Sequence, residues 1–245
     1  MSEGPANQPA PTPCGLLVID KPLGPTSMDV CRRIRWRLVQ GGAPKRVKVG
    51  HGGTLDPLAT GVLVVMVGKA TKLCERVMAG TKVYLTEIDL SCFSSTDDQE
   101  GEKTAVEVAA APTREAVEAV CARFVGASVM QTPPAYSAMK IDGERAYDMA
   151  RRGEEVKLAA RRVRIDRVEV TAYAWPVLTV EVECGKGTYI RSLARDIGVA
   201  LGTGGCLKSL RRTRVGRWGI DGAQRLDGLP EKMGQGDLLD LPTED

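Results

Sequence analysis

The sequence contains a single histidine, His51, and only two phenylalanines among its 245 residues. One imidazole excludes metal centres built from several histidines and mechanisms that require two of them. Because aromatic residues make up only 4% of the chain, the core must be mainly aliphatic. The longest uninterrupted apolar run is Val62 to Val67, whereas a spanning helix needs about 20 apolar residues, so no membrane insertion is predicted.

Closely spaced cysteine pairs are also absent. The seven cysteines are scattered, and the two nearest to each other, Cys14 and Cys31, are 17 positions apart, so a zinc ribbon is not expected. Their odd number predicts reduced thiols in a reducing compartment, and we expect a cytoplasmic protein. Residues 1–13 are rich in proline and contain no Lys or Arg, which predicts a disordered segment unlike an organelle transit peptide. Delivery to an organelle is left open.

The formal net charge of +3 conceals an uneven distribution of charge along the chain. Residues 32–48 contain seven basic and no acidic side chains, and residues 203–217 contain five more basic ones, again without an acid. Residues 218–245 reverse the balance, with seven acidic and two basic side chains. Two separated basic blocks suit a polyanion such as a nucleic acid. Solvated arginine-rich helix faces are the other interpretation, and charge alone does not decide between them.

Apolar spacing predicts a helix close to the N-terminus. Thr26 or Ser27 is the expected cap, and Val30, Ile34 and Leu38 form a stripe spaced by four residues. Other segments alternate as strands do. Residues 163–170 alternate with a slip of one position, which predicts a bulged strand, and residues 178–184 alternate cleanly as its neighbour.

Further along the chain, Thr113 is expected to open a helix, and residues 144–152 form a basic stretch that we also expect to be helical. Strands and helices are interspersed without a regular βαβ rhythm. The sequence therefore predicts a mixed α+β sheet protein.

A glycine-rich turn carries the most informative acidic residue. Asp56 follows Gly50, Gly52 and Gly53 and precedes Pro57, immediately ahead of the buried strand. Such a loop holds a short carboxylate rigidly at a sheet edge, while the glycines let another backbone come close. An aspartate that only stabilises its own turn has the same local composition, and composition alone favours that interpretation.

The string from Gly50 to Leu63, GHGGTLDPLATGVL, resembles the catalytic motif of the TruB family, the tRNA pseudouridine-55 synthases. Supporting blocks follow the family's order and lie at residues 20–27 (DKPLGPTS), 82–84 (KVY), 133–140 (PPAYSAMK), 187–193 (GTYIRSL) and 210–213 (LRRT). The similarity runs from about Gly15 to Leu229. Several ordered blocks make a chance resemblance negligible.

The resemblance implies a pseudouridine-synthase fold of the α+β class, with a central mixed or antiparallel sheet flanked by helices. It also implies a thumb-like RNA-binding insertion at about 131–153 inside a catalytic domain at 14–225. Residues 226–245 are then an acidic C-terminal tail without a separate RNA-binding module, after the disordered 1–13.

The implied reaction is the isomerisation of uridine 55 in the tRNA T loop. The uracil–ribose C–N bond breaks, the base turns, and a C–C bond replaces the lost bond. No group is imported and nothing is oxidised, so neither a cofactor nor a metal is expected. Positive charge develops on the sugar, as in glycoside cleavage. An ionised carboxylate beside the sugar stabilises that charge. Asp56 matches the family's essential aspartate; attack on the sugar carbon and removal of a sugar proton through a glycal both remain open.

The resemblance assigns the substrate contacts residue by residue. Arg191 matches the arginine that pairs with the aspartate and keeps it ionised. Tyr84 matches the tyrosine that stacks on the target base, and Tyr189 and Leu210 match positions that line the uridine pocket. His51 matches the residue that meets the RNA while the target base is flipped out of its stack.

Two further positions match a supporting role, because Lys21 and Pro22 are expected to brace the active-site loop. Asp97, Asp98 and Glu100 fall where the family has a mobile acidic loop, but the local string departs from the usual pattern and no role is assigned to them.

The expected partner is tRNA, bound through its T-arm stem-loop, without a guide RNA, and the protein is expected to be a monomer. Two other hypotheses are carried alongside. One is a non-catalytic tRNA-binding or folding factor. The presence of Asp56, Tyr84 and Arg191, which match the family's catalytic and substrate-binding residues, argues against it. The other is a pseudouridine synthase that acts on a different RNA hairpin.

Overall fold

The computed structural model describes residues 12–137, 139–141, 144–145, 149, 152, 154, 156 and 158–241. Their contacts divide the chain into two compact units. The first unit combines the described parts of Met1–Gly80 and Arg214–Asp245, and the second is Thr81–Thr213. The segment predicted to be disordered, 1–13, lies almost wholly outside the described residues, as does part of the predicted insertion at 131–153.

Helices and strands alternate irregularly, as the sequence predicts. The strands are β1 (Gly15–Lys21), β2 (Val49–His51), β3 (Ala59–Val67), β4 (Lys82–Asp89), β5 (Cys92–Ser94), β6 (Lys103–Ala105), β7 (Gly126–Gln131), β8 (Lys140–Ile141), β9 (Glu144–Arg145), β10 (Arg161–Ala174), β11 (Val177–Cys184), β12 (Cys206–Val215), β13 (Trp218–Gly219) and β14 (Gln224–Arg225). The helices are α1 (Ser27–Gln40), α2 (Cys74–Ala79), α3 (Arg114–Ala122) and α4 (Ile190–Leu201). This composition confirms the α+β class.

The sheet of the first unit is centred on β1 and β3. These two strands are antiparallel, with Lys21 opposite Gly61. β14 adds to β1 in the parallel direction, and β2 adds to β3 in the antiparallel direction, with His51 opposite Val65. The mixture of both strand directions agrees with the predicted mixed sheet.

Both faces of this small sheet are buried, which explains why β3 is a continuous apolar run rather than an alternating one. One face carries Leu17, Ile19, Leu63 and Val65, which pack with α1. The other face packs a second cluster, made of Leu16, Val18, Val62, Val64, Met66, Ala70, Val77 and Val215.

Helix α1 confirms the predicted cap and stripe. Thr26 is the N-cap: its hydroxyl accepts a hydrogen bond from the Asp29 N–H, and the Asp29 carboxylate accepts from the Thr26 N–H. This reciprocal pair satisfies two backbone donors that the first turn would otherwise leave open. The predicted stripe of Val30, Ile34 and Leu38 is fully buried.

The segment 226–241, which the sequence analysis sets apart as part of a tail, is packed into the first unit. Leu226, Leu229, Met233 and Leu238 are buried in the cluster that contains α1. The Met233 N–H donates to the Arg37 carbonyl over 3.1 Å. The apolar residues of this segment are spaced too irregularly to form a helical or strand pattern. Their burial in the core therefore could not be predicted from the sequence, in which the acidic residues are the most evident feature.

The second unit is built on the strand order β12-β4-β11-β10-β7. β11 runs antiparallel to both β4 and β10, and β7 runs antiparallel to β10. The pairing of β10 with β11 shifts between Ile165 and Arg167 and again between Val170 and Ala172, which confirms the predicted bulged strand. Its predicted neighbour, residues 178–184, forms most of β11.

The expectation of a helix over residues 144–152 is wrong at its start. Glu144–Arg145 forms β9, which pairs with Lys140–Ile141 of β8. The intervening sequence is Asp-Gly, a pair that favours tight hairpins over helices. Most of the remaining residues of this stretch lie outside the described ones. The helix predicted after Thr113 is confirmed, since the Thr113 hydroxyl accepts from the Ala116 N–H as the cap of α3.

Candidate active site

Asp56 lies in the loop between β2 and β3, within the first unit, and its side chain is half-buried. The glycines before it have steric reasons to be glycine. A Cβ atom on Gly52 would stand 2.2 Å from a Val77 methyl carbon, and Gly53 has a φ of +119°, in the region that L side chains rarely adopt. The loop therefore lies flat against α2 before it reaches the carboxylate.

The residues on either side of Asp56 are tied to the start of α1. The Ser27 hydroxyl accepts a hydrogen bond from the Leu55 N–H over 2.8 Å and donates to the Leu55 carbonyl over 2.9 Å. The Pro57 carbonyl accepts from the Gly24 N–H over 2.9 Å. Since Ser27 and Leu55 are both buried, these bonds are shielded from water and fix the backbone on each side of the carboxylate.

His51 ends β2 at the beginning of the same loop. It is half-buried, and its carbonyl accepts a weak hydrogen bond from the Cys74 thiol at 3.6 Å. Lys21 ends β1 and is fully buried, and its ammonium donates to the carbonyl of the exposed Pro22 over 2.9 Å. All four of the predicted site residues in the first unit thus belong to strand ends or to loops that leave them.

Tyr84 and Leu210 lie on strands of the second unit. Tyr84 is on β4 opposite Val182 of β11, and its side chain is 8% exposed. Leu210 is on β12 and is similarly buried. The Thr86 hydroxyl joins the two strands by donating to the Ser209 carbonyl over 2.6 Å.

Lys82 shares the face of β4 that carries Tyr84, since the two residues are two positions apart. It is buried opposite Cys184. Burial, reinforced by the positive charge of the fully buried Arg212, lowers the pKa of Lys82 from 10.5 to about 8. In the sequence, Lys82 stands out only as part of the KVY motif, because residue type does not reveal that this lysine is buried.

Arg191 is the second residue of α4 and is held by three acceptors from two segments. Its guanidinium donates to the Thr96 carbonyl and the Asp98 carboxylate, each over 3.2 Å, and to the Tyr136 carbonyl over 2.9 Å. Arg191 is 7% exposed and Asp98 is 1% exposed, so this ion pair is buried. An arginine bonded in this way has a fixed position and orientation.

A second ion pair lies one helical turn further along α4. The Arg195 guanidinium bonds to the Asp97 carboxylate over 2.8 Å and to the Thr132 carbonyl over 2.9 Å. Asp97 has a φ of +62°, an uncommon conformation for a residue other than glycine. Burial raises the pKa of Asp97, although Arg195 opposes that shift.

Asp97 and Asp98 are two of the residues for which the sequence predicts no role. The sequence offers two signals: two consecutive acids, and two arginines four positions apart, the spacing of neighbours on one helix face. Nothing in the sequence alone showed that the two pairs meet. Glu100 is exposed, and only its N–H is bonded in this network, to the Asp98 carboxylate.

Tyr189 is the N-cap residue of α4 and is half-buried. Gln131 at the end of β7 bonds to its main chain twice, accepting from the Tyr189 N–H at 2.9 Å and donating to its carbonyl at 3.1 Å. The Arg161 guanidinium lies over the tyrosine ring, 5.0 Å from its centre. This contact is within the range of a cation–π interaction and orients the ring.

The predicted site residues are therefore divided between the two units. His51, Asp56, Lys21 and Pro22 belong to the first unit. The second unit contains Tyr84, Tyr189, Arg191 and Leu210. Across the described parts of the chain, no cluster of three or more His, Cys, Asp or Glu could hold a metal ion.

Two family models together match residues 42–234 of the chain. The model described as TruB family pseudouridylate synthase, N-terminal domain, matches residues 42–190, and the one described as tRNA pseudouridylate synthase B C-terminal domain matches residues 191–234. The chain belongs to the TruB family. Membership confirms the resemblance, and it makes the protein a pseudouridine synthase, which is an isomerase.

Named TruB relatives are similar over most of their length. A tRNA pseudouridine synthase B of Phocaeicola vulgatus is 43% identical over 229 residues, which cover 94% of this chain and 97% of that protein. One of an Arthrobacter species is 50% identical over 225 residues, covering 89% of this chain and 71% of that protein.

Solved structures support the pseudouridine-synthase fold. A Cbf5-Nop10-Gar1 complex contains a chain 29% identical to this one, with a TM-score of 0.66 over 87% of this chain. An H/ACA RNP bound to a substrate RNA containing 2′-deoxyuridine gives a TM-score of 0.63 at 28% identity over 87% of this chain. This chain spans about half the length of those chains, 52% and 51%.

No described helix of this TruB family member is both long and apolar enough to cross a lipid bilayer.

Proposed function

We propose that the protein converts uridine 55 in the T loop of tRNA to pseudouridine, with Asp56 as the catalytic carboxylate. The observation that carries the proposal is the anchoring of the Asp56 loop by Ser27 and Gly24 in a chain of the TruB family. The names of the relatives specify tRNA, and the motif around Asp56 is the one that resembles the uridine-55 enzymes.

The chemistry needs a negative charge at the sugar. When the C1′–N1 bond of the uridine breaks, electron density leaves C1′ and the ring gains positive character. A carboxylate held beside C1′ stabilises that charge by attack on C1′ or by removal of the C2′ proton. The base then turns and C5 bonds to C1′. In the first route the carboxylate–C1′ bond breaks as this bond forms, and in the second the carboxyl group returns its proton to C2′. The C5 proton then leaves, and N1 regains a proton. Atoms and charge balance without any cofactor.

Rigid attachment is what makes Asp56 suited to this role. A carboxylate whose loop is already fixed loses little conformational entropy when the reaction begins. Its electrostatic stabilisation of the sugar is therefore not reduced by a free-energy cost of reorientation. The turn-stabilising interpretation of Asp56 explains neither the two hydrogen bonds that Ser27 makes to Leu55 nor the close fit of Gly52 against Val77.

Arg191 and Tyr84 are proposed as substrate-binding residues of the second unit. The three acceptors around Arg191 leave its guanidinium little freedom, which suits the recognition of an anionic or carbonyl group. Tyr84 offers an aromatic ring for the target base. Pairing of Arg191 with Asp56 stays a prediction of the family resemblance.

Tyr189, Leu210 and His51 complete the proposed RNA contacts. Tyr189 has an oriented ring, Leu210 offers an apolar wall, and His51 stands at the start of the Asp56 loop. Lys21 and Pro22 are proposed as positioning residues, because the buried ammonium of Lys21 fixes the chain where it leaves β1.

The test uses an unmodified tRNA transcript and a T-arm hairpin, with pseudouridine mapped by a base-specific adduct and primer extension. We expect one product, at the T-loop uridine, from the wild type. Asp56→Asn should lower the single-turnover rate by at least about 1,000-fold, the scale seen when an electrostatic group at a reacting centre is removed. Asp221→Asn, a change at an exposed aspartate of the same unit, is the matched control and should react at the wild-type rate.

The two other hypotheses give different results. A non-catalytic tRNA-binding factor binds the hairpin but forms no product with any variant. A synthase with another target forms no product at the T-loop uridine, while other RNA hairpins are modified in an Asp56-dependent way.

A further inference from the structure

The first unit has a cavity that none of the candidate site residues lines. Its volume is about 160 Å³, comparable to an engineered cavity of about 150 Å³ that binds benzene. Leu73, Arg76, Val77 and Gly80 line one side, and the turn at residues 216–218 lines the other. The cavity therefore has room for one six-membered aromatic ring.

Glycines keep the floor of this cavity open. A Cβ atom on Gly80 would stand 3.2 Å from the Gly216 Cα, so two backbones meet there without side chains between them. Gly216 has a φ of +53°, which lets the chain turn tightly from Val215 into Trp218, its strand partner. The turn thus fixes the half-buried indole of Trp218 at the wall.

Two exposed arginines, Arg76 and Arg217, stand at the rim. No carboxylate or other hydrogen-bond acceptor contacts either guanidinium among the residues that the structure describes. Other arginines of the chain are paired, such as Arg225 with Asp227. Arg217 also ends the second basic block of the sequence. The rim thus presents two positive charges beside an aromatic wall and a ring-sized space.

The cavity also adjoins the candidate catalytic loop. Val77, which forms part of its wall, is the residue against which Gly52 packs. Cys74, at the other end of the same short helix, contacts the His51 carbonyl. One six-residue helix, α2, therefore separates the cavity from the loop that carries Asp56.

We propose that this cavity binds a nucleotide of the T arm other than the target uridine, with its base against Trp218 and its phosphate at Arg76 and Arg217. Base stacking on an aromatic side chain combined with arginine contacts to phosphate is how proteins hold unpaired nucleotides. The inference rests on the proposed function, since it requires that the protein binds the T arm. It adds a binding subsite that helps to place the RNA while Asp56 acts.

Tryptophan fluorescence tests the stacking directly. The sequence has three tryptophans, and Trp36→Phe with Trp175→Phe leaves Trp218 as the only one. We expect a T-arm hairpin to quench the Trp218 emission of this protein in a saturable way. An unchanged emission at concentrations of RNA that saturate turnover overturns the stacking contact.

Charge removal tests the phosphate contacts. In Arg76→Ala/Arg217→Ala, we expect the Kd for the hairpin to rise about tenfold, within the range for the loss of one nucleotide contact. The slope of log Kd against log salt should fall by about 1.4, the value for two phosphates of a single strand.

A matched control removes two positive charges elsewhere on the same unit. Arg225→Ala/Lys232→Ala changes the net charge equally at exposed positions away from the cavity lining. Equal Kd values and salt slopes for the two double variants would overturn the proposal, since charge alone would then explain the loss. Failure of the wild type to form pseudouridine in the T arm counts instead against the proposed function.

Discussion

Ser27 shows how one hydroxyl can hold the loop that carries the proposed catalytic residue. It bonds to both the N–H and the carbonyl of Leu55, next to Asp56, at a buried position. In Ser27→Ala both groups lose their partner, and each buried unsatisfied group costs about 1–3 kcal/mol. We expect the free energy of unfolding to fall by about 2–6 kcal/mol and the single-turnover rate to fall about tenfold, because the carboxylate becomes mobile.

Urea denaturation and single-turnover kinetics measure the two effects of Ser27→Ala. Ser95→Ala is the control, because that exposed hydroxyl accepts one hydrogen bond, from the Glu102 N–H. A wild-type rate in Ser27→Ala would show that the loop keeps its position without this serine.

Lys82 makes the stability of the protein depend on pH in the alkaline range. Its pKa is lowered from 10.5 to about 8 by burial and by Arg212. Between these two values the unfolded chain binds a proton that the folded protein has released, so the free energy of unfolding should rise with pH. The expected rise is up to about 1.4 kcal/mol per pH unit.

Urea denaturation of the wild type and of Lys82→Met at pH 8, 9 and 10 checks this dependence. The difference in unfolding free energy between the two proteins should change by about 1 kcal/mol or more per pH unit. Leu85→Met, on the more exposed face of β4, should keep the wild-type dependence. Parallel curves for Lys82→Met and the wild type would contradict the assignment.

At the scale of single elements, α4 joins segments that are distant in the chain. Its first two turns carry Arg191 and Arg195, which bond to Asp98 and Asp97 and to the carbonyls of residues 132 and 136. Breaking a buried ion pair usually costs about 3–5 kcal/mol, whereas an exposed pair contributes less than about 1 kcal/mol. The Arg191–Asp98 pair belongs to the first class.

Asp98→Asn tests this pair while keeping the shape of the side chain. We expect the free energy of unfolding to fall by about 2 kcal/mol, somewhat less than for full removal because the amide still accepts a hydrogen bond. The single-turnover rate should fall with little change in the Kd for RNA, since Arg191 loses its fixed position. Asp166→Asn, which alters an exposed pair with Arg164, should change neither quantity measurably. Equal effects of the two substitutions would contradict the role of Asp98.

Elements whose local pattern agrees with their burial could be predicted from the sequence. Helix α1 has its cap and its apolar stripe in one continuous segment. The bulge in β10 could be predicted because the apolar alternation of the strand's own residues slips by one position. Residues 226–241 could not be placed, because their four buried side chains are held by tertiary contacts and follow no helical or strand period. The same reason hid the pairing of Asp97 and Asp98 with α4, which joins residues more than 90 positions apart.

On the scale of the whole molecule, function depends on charge that the net value of +3 conceals. The sequence motifs identify the candidate site residues. Which basic side chains are available to contact RNA depends instead on which of them are already bonded to other groups of the protein. Within the first basic block, Arg32 is paired with Asp29, and the Arg37 guanidinium bonds to the Leu229 carbonyl. Neither fact is visible from composition, since the partner of Arg37 lies 192 positions away.

Arg33, Lys45, Arg46 and Lys48 are the exposed basic residues of this block whose side chains have no partner in the described part of the chain. We expect Arg33→Ala/Lys45→Ala/Arg46→Ala to raise the Kd for tRNA at all salt concentrations and to reduce the slope of log Kd against log salt by about 2, the value for three phosphates of a single strand. Filter binding at several salt concentrations measures the slope, and Arg123→Ala/Arg225→Ala/Lys232→Ala, which removes three charges at exposed positions, corrects for the loss of net charge. The single-turnover rate at saturating tRNA should be unchanged, since phosphate contacts position the RNA without taking part in bond breaking. A slope equal to that of the wild type would mean that this block is a solvated helix face, and the RNA surface would then have to lie elsewhere on the protein.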